Sequence, residues 1–121
     1  MRFLVTGGGG FIGSHLVDRI IAEGHDVVVL DNFASGKKSN LEAAAATGKM
    51  RLVEGTILDN DDLNDAMQKV DVVLHLAVEC VRKSIGDPVG NHHANATGTL
   101  MTLEAARRHK VSRFIYCSSS E

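Results

Sequence analysis

The 121-residue chain predicts an α/β fold built on a five-stranded parallel sheet. Three observations carry this expectation. Five short apolar runs alternate with helical patterns, the sequence sign of strands joined by helical crossovers. Most of the runs are unbroken in Val, Ile and Leu, as strands covered on both faces require. A glycine-rich turn directly follows the first run and opens the first helix.

In chain order, the first strand is read over residues 3–5 and ends at Thr6-Gly7. The first helix covers 11–23, where Phe11, Ile12, His15, Leu16, Ile20 and Ile21 recur at helical spacing and Gly24 supplies the C-cap. A second strand follows at 27–30. A weaker helix is placed over 40–46 on its four consecutive alanines, which are strong helix formers. The third strand is 50–53, and the third helix, 59–68, opens on acids that suit a helix N-terminus. The fourth strand is read over 70–76. Pro88 starts the longest helix, which runs to about His109 with Arg107, Arg108 and His109 against its negative end. The fifth strand is 113–117. Right-handed crossovers and one reversal of direction give the order 3-2-1-4-5, a doubly wound sheet whose ligands bind at the carboxyl ends of the strands beside the switch point.

Composition excludes several classes. Thirteen Lys and Arg oppose fifteen Asp and Glu, a net charge of -2, which argues against a nucleic-acid partner. No apolar stretch approaches a membrane span, and the apolar share of 44% is too high for a disordered chain. Cys80 and Cys117 cannot form a disulfide framework, and the run Phe3-Leu4-Val5 is too short for a signal peptide. A cytoplasmic protein of one domain, residues 1–121, is expected.

The turn Gly7-Gly8-Gly9-Gly10-Phe11-Ile12-Gly13 satisfies both G-x-G-x-x-G and G-x-x-G-x-x-G. Glycine is needed there for a tight turn, for backbone to approach a pyrophosphate, and for close packing of helix on strand. The helix behind it offers free N–H groups and a positive dipole end to phosphates. Asp31 closes the second strand 21 residues after Gly10, placed to accept hydrogen bonds from an adenosine ribose. Strand, loop, helix, strand and acid in this order predict a Rossmann-type dinucleotide site. The carboxylate would repel a 2′-phosphate, so NAD is expected over NADP. Lys37 and Lys38 follow closely but read as a solvated loop or the start of the next helix.

On these residues, with Asp31-Asn32-Phe33, His75-Leu76-Ala77, Asn95-Ala96-Thr97-Gly98-Thr99 and Arg113-Phe114-Ile115-Tyr116-Cys117-Ser118-Ser119, the chain resembles the extended short-chain dehydrogenase/reductase family. The match falls in its branch of NAD-dependent nucleotide-sugar epimerases and dehydratases. The resemblance implies that Gly7, Gly10, Phe11, Ile12 and Gly13 line the pyrophosphate. Asp31 and Asn32 would hold the ribose with Ser35 and Gly36 near it, and Leu76 and Ala77 would lie along the cofactor. Asn95 would stand near the cofactor or fix the long helix, and Ser84 matches a position close to the sugar. Ser119 matches the catalytic Ser or Thr, with Ser118 and Ser120 each one step away in register.

Two departures stand out. Thr56 occupies the place after Gly55 where the family often has an acid that meets adenine, and Asp59, three positions on, reads as a helix cap. The family's Tyr-x-x-x-Lys pair, whose lysine lowers the tyrosine pKa for proton transfer, has no match. Tyr116 is the single tyrosine, it lies in a strand pattern, and Ser120 stands four residues later. The expectation is a chain truncated relative to its family, without the part that binds a nucleotide sugar and inactive alone. Its fifth strand would then be an open edge that favours self-association, so a homo-oligomer is expected.

Elsewhere the plainer reading prevails. His92 and His93 diverge on a helix and propose no metal site. His75 reads as packed or hydrogen-bonded, Cys80 as an ordinary thiol, and Asp59, Asp61 and Asp62 as helix-start charges. The function expected is the NAD-binding part of an epimerase, dehydratase or decarboxylase that works through a transient 4-keto sugar. The alternatives are an NAD(P)-dependent reductase of the same fold and a non-catalytic dinucleotide-sensing module.

Overall fold

Alternate residues of the central strands enter two separate cores. Leu4, Val28, Leu30 and Val73 pack on one face of the sheet, and Val5, Val27 and Val29 pack on the other. This is why the strands read as continuous apolar runs. The computed structural model describes residues 1–119. Its strands are β1 (Arg2–Thr6), β2 (Asp26–Asp31), β3 (Met50–Glu54), β4 (Val72–His75) and β5 (Arg113–Tyr116). All are parallel, in the order β3-β2-β1-β4-β5. Strand β1 is central, pairing Thr6 with Leu30 of β2 on one side and with His75 of β4 on the other. The carboxyl ends of β1 and β4, where successive connections leave in opposite directions, form the switch point.

Helix α1 (Phe11–Ala22) covers one face, together with a 3₁₀ turn (Lys38–Leu41) and α2 (Glu42–Ala46). The burial of α1 corrects the expected apolar stripe. Gly13, Ser14, Val17 and Ile20 are buried, whereas Phe11 and Ile12 are 79% and 69% exposed. The sheet selects the face on which Gly13 permits close approach, and the first two apolar residues are left at the rim of the switch point. Gly24 ends the helix at φ +90°, its N–H bonded to the Ile21 carbonyl.

Helix α3 (Asn60–Ala66) covers the opposite face, with Leu63 fully buried. Asp59 is its N-cap, accepting from the N–H groups of Asp61 (2.7 Å) and Asp62 (3.0 Å). The helix is shorter than the expected 59–68 because the chain turns at Lys69, which has φ +57°. Strand β4 is likewise shorter than 70–76, since Val70 still belongs to that turn and bonds back to Met67.

The segment from Pro88 is helical as expected but not uniform. It consists of α5 (Pro88–His92), a π-helical stretch (His93–Thr97) and α6 (Gly98–Arg108). Gly98 N–H bonds the His93 carbonyl, five residues back. A short α4 (Lys83–Gly86), absent from the sequence reading, precedes it. Asp87 caps α5 by accepting from Gly90 N–H at 2.9 Å. Among the described residues, no helix is long and apolar enough to cross a membrane.

Candidate functional site

The turn after β1 is set by its backbone. Gly7 has φ +72°, a left-handed conformation that glycine adopts without penalty. A Cβ on Gly7 would lie 2.9 Å from the Ala77 nitrogen. Gly10 N–H bonds the Gly7 carbonyl at 3.1 Å, closing the turn, and Gly10 in extended conformation starts α1 with no side chain capping it. The N-terminus of α1 therefore faces the switch point with its positive dipole end open to an anion.

Asp31, at the end of β2, holds this loop from across the groove. Its carboxylate accepts from Gly9 N–H and from Phe33 N–H, each at 2.8 Å, and it is 9% exposed. The second contact supports Phe33 in a left-handed conformation at φ +55°. Two further bonds, from Lys37 N–H (3.0 Å) and Asn40 Nδ2 (2.9 Å), converge on the Gly9 carbonyl. Sequence reading missed Asn40, because nothing local marks an asparagine 31 residues away as a tether. Lys38 pairs with Glu54 at 2.7 Å and lies over the Phe33 ring. This engages it beside the groove and agrees with its reading as a surface residue.

A groove of about 510 Å³ runs along the carboxyl ends of the strands. Gly7, Gly10, Phe11, Ile12 and Gly13 form one wall, and Asp31, Asn32, Ser35 and Gly36 bound the end beyond β2. Leu76 and Ala77 line it beyond β4, and Ser119 lies beside Cys117 and Ser118 after β5. Residues predicted from four separate segments thus meet in one cavity. Thr56 also lines it; its N–H bonds Asp62 (2.9 Å) and its hydroxyl accepts from Leu58 N–H (3.2 Å). Asp62 therefore ties the turn after β3 to α3.

Two predicted positions lie outside the groove lining. Asn95 is not in the groove lining; its side chain grips the Glu79 backbone, accepting from the N–H at 2.8 Å and donating to the carbonyl at 2.9 Å. It thereby secures the groove wall from the π-helical segment, and its neighbour Ala94 lines the groove instead. Ser84 stands outside the lining, its hydroxyl donating to the Val81 carbonyl. Ser120, one register step from Ser119, lies outside the described residues. Tyr116 is on β5, its ring stacked on His75 at 5.8 Å between centroids.

His75 is the buried titratable group behind the groove. It is 1% exposed, bonded to Thr6 through Nδ1 (2.7 Å) and to Thr99 through Nε2 (3.0 Å). Burial pulls its pKa down to about 4. This matches its reading as a packed, hydrogen-bonded histidine. His92 and His93 are exposed, and no group of three potential ligands clusters among the described residues.

A doubly wound sheet with an uncapped helix N-terminus over a glycine turn, and an acid closing the next strand, defines a Rossmann-type domain with a groove at its switch point. The model of the NAD-dependent epimerase/dehydratase family matches residues 3–121, and the chain belongs to that family. It is 42% identical over 121 residues to a UDP-glucose 4-epimerase of Mycolicibacterium smegmatis, covering 98% of this chain and 39% of that one. Two solved structures, each 36% identical with a TM-score of 0.88, share the fold. One is a Thermus thermophilus UDP-glucose 4-epimerase in complex with NAD, with 98% of this chain covering 38% of it. The other is a dTDP-glucose 4,6-dehydratase of Streptomyces venezuelae with NAD and TYD bound, with 94% of this chain covering 38% of it. The chain thus spans about two fifths of the length of these relatives.

Proposed function

We propose that this chain is the NAD-binding portion of a nucleotide-sugar epimerase or dehydratase that acts through a transient 4-keto sugar. The observation that carries the reading is the open N-terminus of α1 facing Asp31 across the glycine turn. These residues fit the cofactor. Amides of the Gly7–Gly13 turn would take the pyrophosphate, and Asp31 with Asn32 would take the adenosine ribose, near Ser35 and Gly36. Leu76 and Ala77 would lie along the cofactor, with Asn95 fixing their segment from the helix. NAD supplies the hydride acceptance and return that the chemistry requires. Ser119 is the residue we assign to hydrogen-bond the sugar oxygen that is oxidised, and Ser84 is assigned to the substrate side.

Asp31 also sets the cofactor. Its charge at the ribose disfavours a 2′-phosphate, and the one lysine placed over Phe33 is paired with Glu54. This weighs against an NADP-dependent reductase. These 121 residues contain no Tyr-x-x-x-Lys pair. The reading therefore assigns cofactor binding to this chain, and sugar turnover only to a protein that also carries that pair and a sugar-binding part. A cytoplasmic location and self-association belong to the same proposal. Ile115 and Tyr116 on the edge strand β5, 42% and 54% exposed, support the latter.

Isothermal titration tests the binding site. NAD⁺ is expected to bind the chain, and Asp31→Asn, which keeps an acceptor but loses the charge, is expected to weaken it roughly tenfold. The same preparation is expected to show no epimerase or dehydratase turnover. Equal affinity in the variant, or steady turnover by the pure chain, would contradict the reading.

A further inference from the structure

The proton positions behind the groove follow from counting donors. Thr6 Oγ1 accepts from the Ala77 N–H at 3.1 Å and shares the Leu76 N–H, also at 3.1 Å, with the Thr6 backbone carbonyl. The Thr6 hydroxyl hydrogen then has His75 Nδ1 as its acceptor at 2.7 Å, which assigns an unprotonated Nδ1. The imidazole proton then sits on Nε2 and is donated to Thr99 Oγ1. Thr99 in turn donates its hydrogen to the Asn95 carbonyl at 2.7 Å, inside the π-helical stretch. Both ends of the series point the same way: the Ala77 N–H occupies the Thr6 oxygen, and the Thr99 hydrogen is spent on the Asn95 carbonyl, which leaves Thr99 Oγ1 to accept from Nε2–H.

This series connects both ends of one wall of the groove. Thr6 holds the wall at Leu76 and Ala77, and the Asn95 side chain holds it at Glu79. His75 lies between them and is sealed by the rings of Phe114 and Tyr116, both 5.8 Å away between centroids. Tyr116 is the titratable side chain stacked on it from β5; the contacts from β1 and α6 are the uncharged hydroxyls of Thr6 and Thr99. A protonated imidazole would aim a second N–H at Thr6 Oγ1, which pushes the Leu76 N–H onto the Thr6 carbonyl alone and leaves the Thr6 hydroxyl hydrogen without its acceptor.

We propose that His75 is a positioning residue of the cofactor groove: as the neutral Nε2–H tautomer it ties β1 to the π-helical segment and locks residues 76–79 in the shape a bound dinucleotide requires. The proposal rests on the NAD reading above and adds to it a residue that never touches the cofactor. Thr6 and Thr99 are its two anchors. Substitution of either hydroxyl by a methyl leaves one imidazole nitrogen without a partner in a dry site.

Long-range ¹H–¹⁵N correlation spectra of the labelled protein report the tautomer directly. His75 is expected to show the neutral Nε2–H pattern from pH 8 to pH 5. Thr99→Val is expected to weaken NAD⁺ roughly fivefold and to speed hydrogen exchange at the Ala77 and Glu79 amides, and Thr99→Ser is expected to restore both. An Nδ1–H tautomer or an imidazolium at pH 7 would overturn the proposal, as would wild-type affinity in Thr99→Val. Should the unmodified chain fail to bind NAD⁺, the functional reading fails separately. The tautomer pattern, which needs no variant, and the amide exchange of Thr99→Val would then still decide for or against the lock.

Discussion

Replacing Gly13 with alanine is expected to destabilise the fold by about 3 kcal/mol and to abolish measurable NAD⁺ binding. The added Cβ would collide with the Gly7 carbonyl oxygen and would lie 2.8 Å from the Gly8 Cα. Both contacts are backbone, so no side chain can rotate aside. Relief requires α1 to retreat from β1, which opens the helix–sheet seam and moves the amides that face the groove. Alanine recovers up to about 1 kcal/mol of helix propensity, too little to compensate. Gly86→Ala is the matched control, because a Cβ there meets nothing within 4 Å and its φ is not left-handed. Thermal unfolding should place the Gly13 variant on the order of 10 °C below the control. Melting of the two at the same temperature would mean that the seam is looser than described.

Acidification from pH 7 to pH 5 is expected to cost about 2 kcal/mol of stability through His75. In the unfolded chain the imidazole takes up a proton near its ordinary pKa of 6.5, whereas burial holds the folded-state pKa near 4. Between those values the unfolded state binds more protons, so stability rises with pH. The His75 contribution is complete above about pH 6.5, and it is lost progressively as pH falls toward 4. Urea unfolding at pH 7 and pH 5, on the protein and on His75→Gln, measures it. The slope should shrink in the variant. An unchanged slope would assign the acid sensitivity to other groups.

The strand order and most of the groove were legible because they depend on local signals. Apolar runs mark the strands, and the Gly7–Gly13 turn followed by Asp31 marks the switch point. Residues read as site positions in four segments line one cavity, since parallel crossovers bring all carboxyl ends to the same edge. The failures have a common physical form. The face of α1 was misphased because Phe11 and Ile12 look like core in a linear pattern, while the sheet contacts select Gly13, Val17 and Ile20. The π-helical stretch has no periodic signature, yet it presents Asn95 to the Glu79 backbone. The uses of Thr6 and Thr99 depend on meeting a histidine 69 and 24 residues away, and no propensity encodes that.

On the function proposed above, the Gly7–Gly13 turn and Asp31 form a working NAD site within these 121 residues. Thermal unfolding of the chain with NAD⁺, and in parallel with NADP⁺, tests it most directly. At about 100 times its Kd, NAD⁺ should stabilise the fold by roughly 2.7 kcal/mol, while NADP⁺ at the same concentration should do far less. No shift with NAD⁺, or an equal shift with both, would contradict the account.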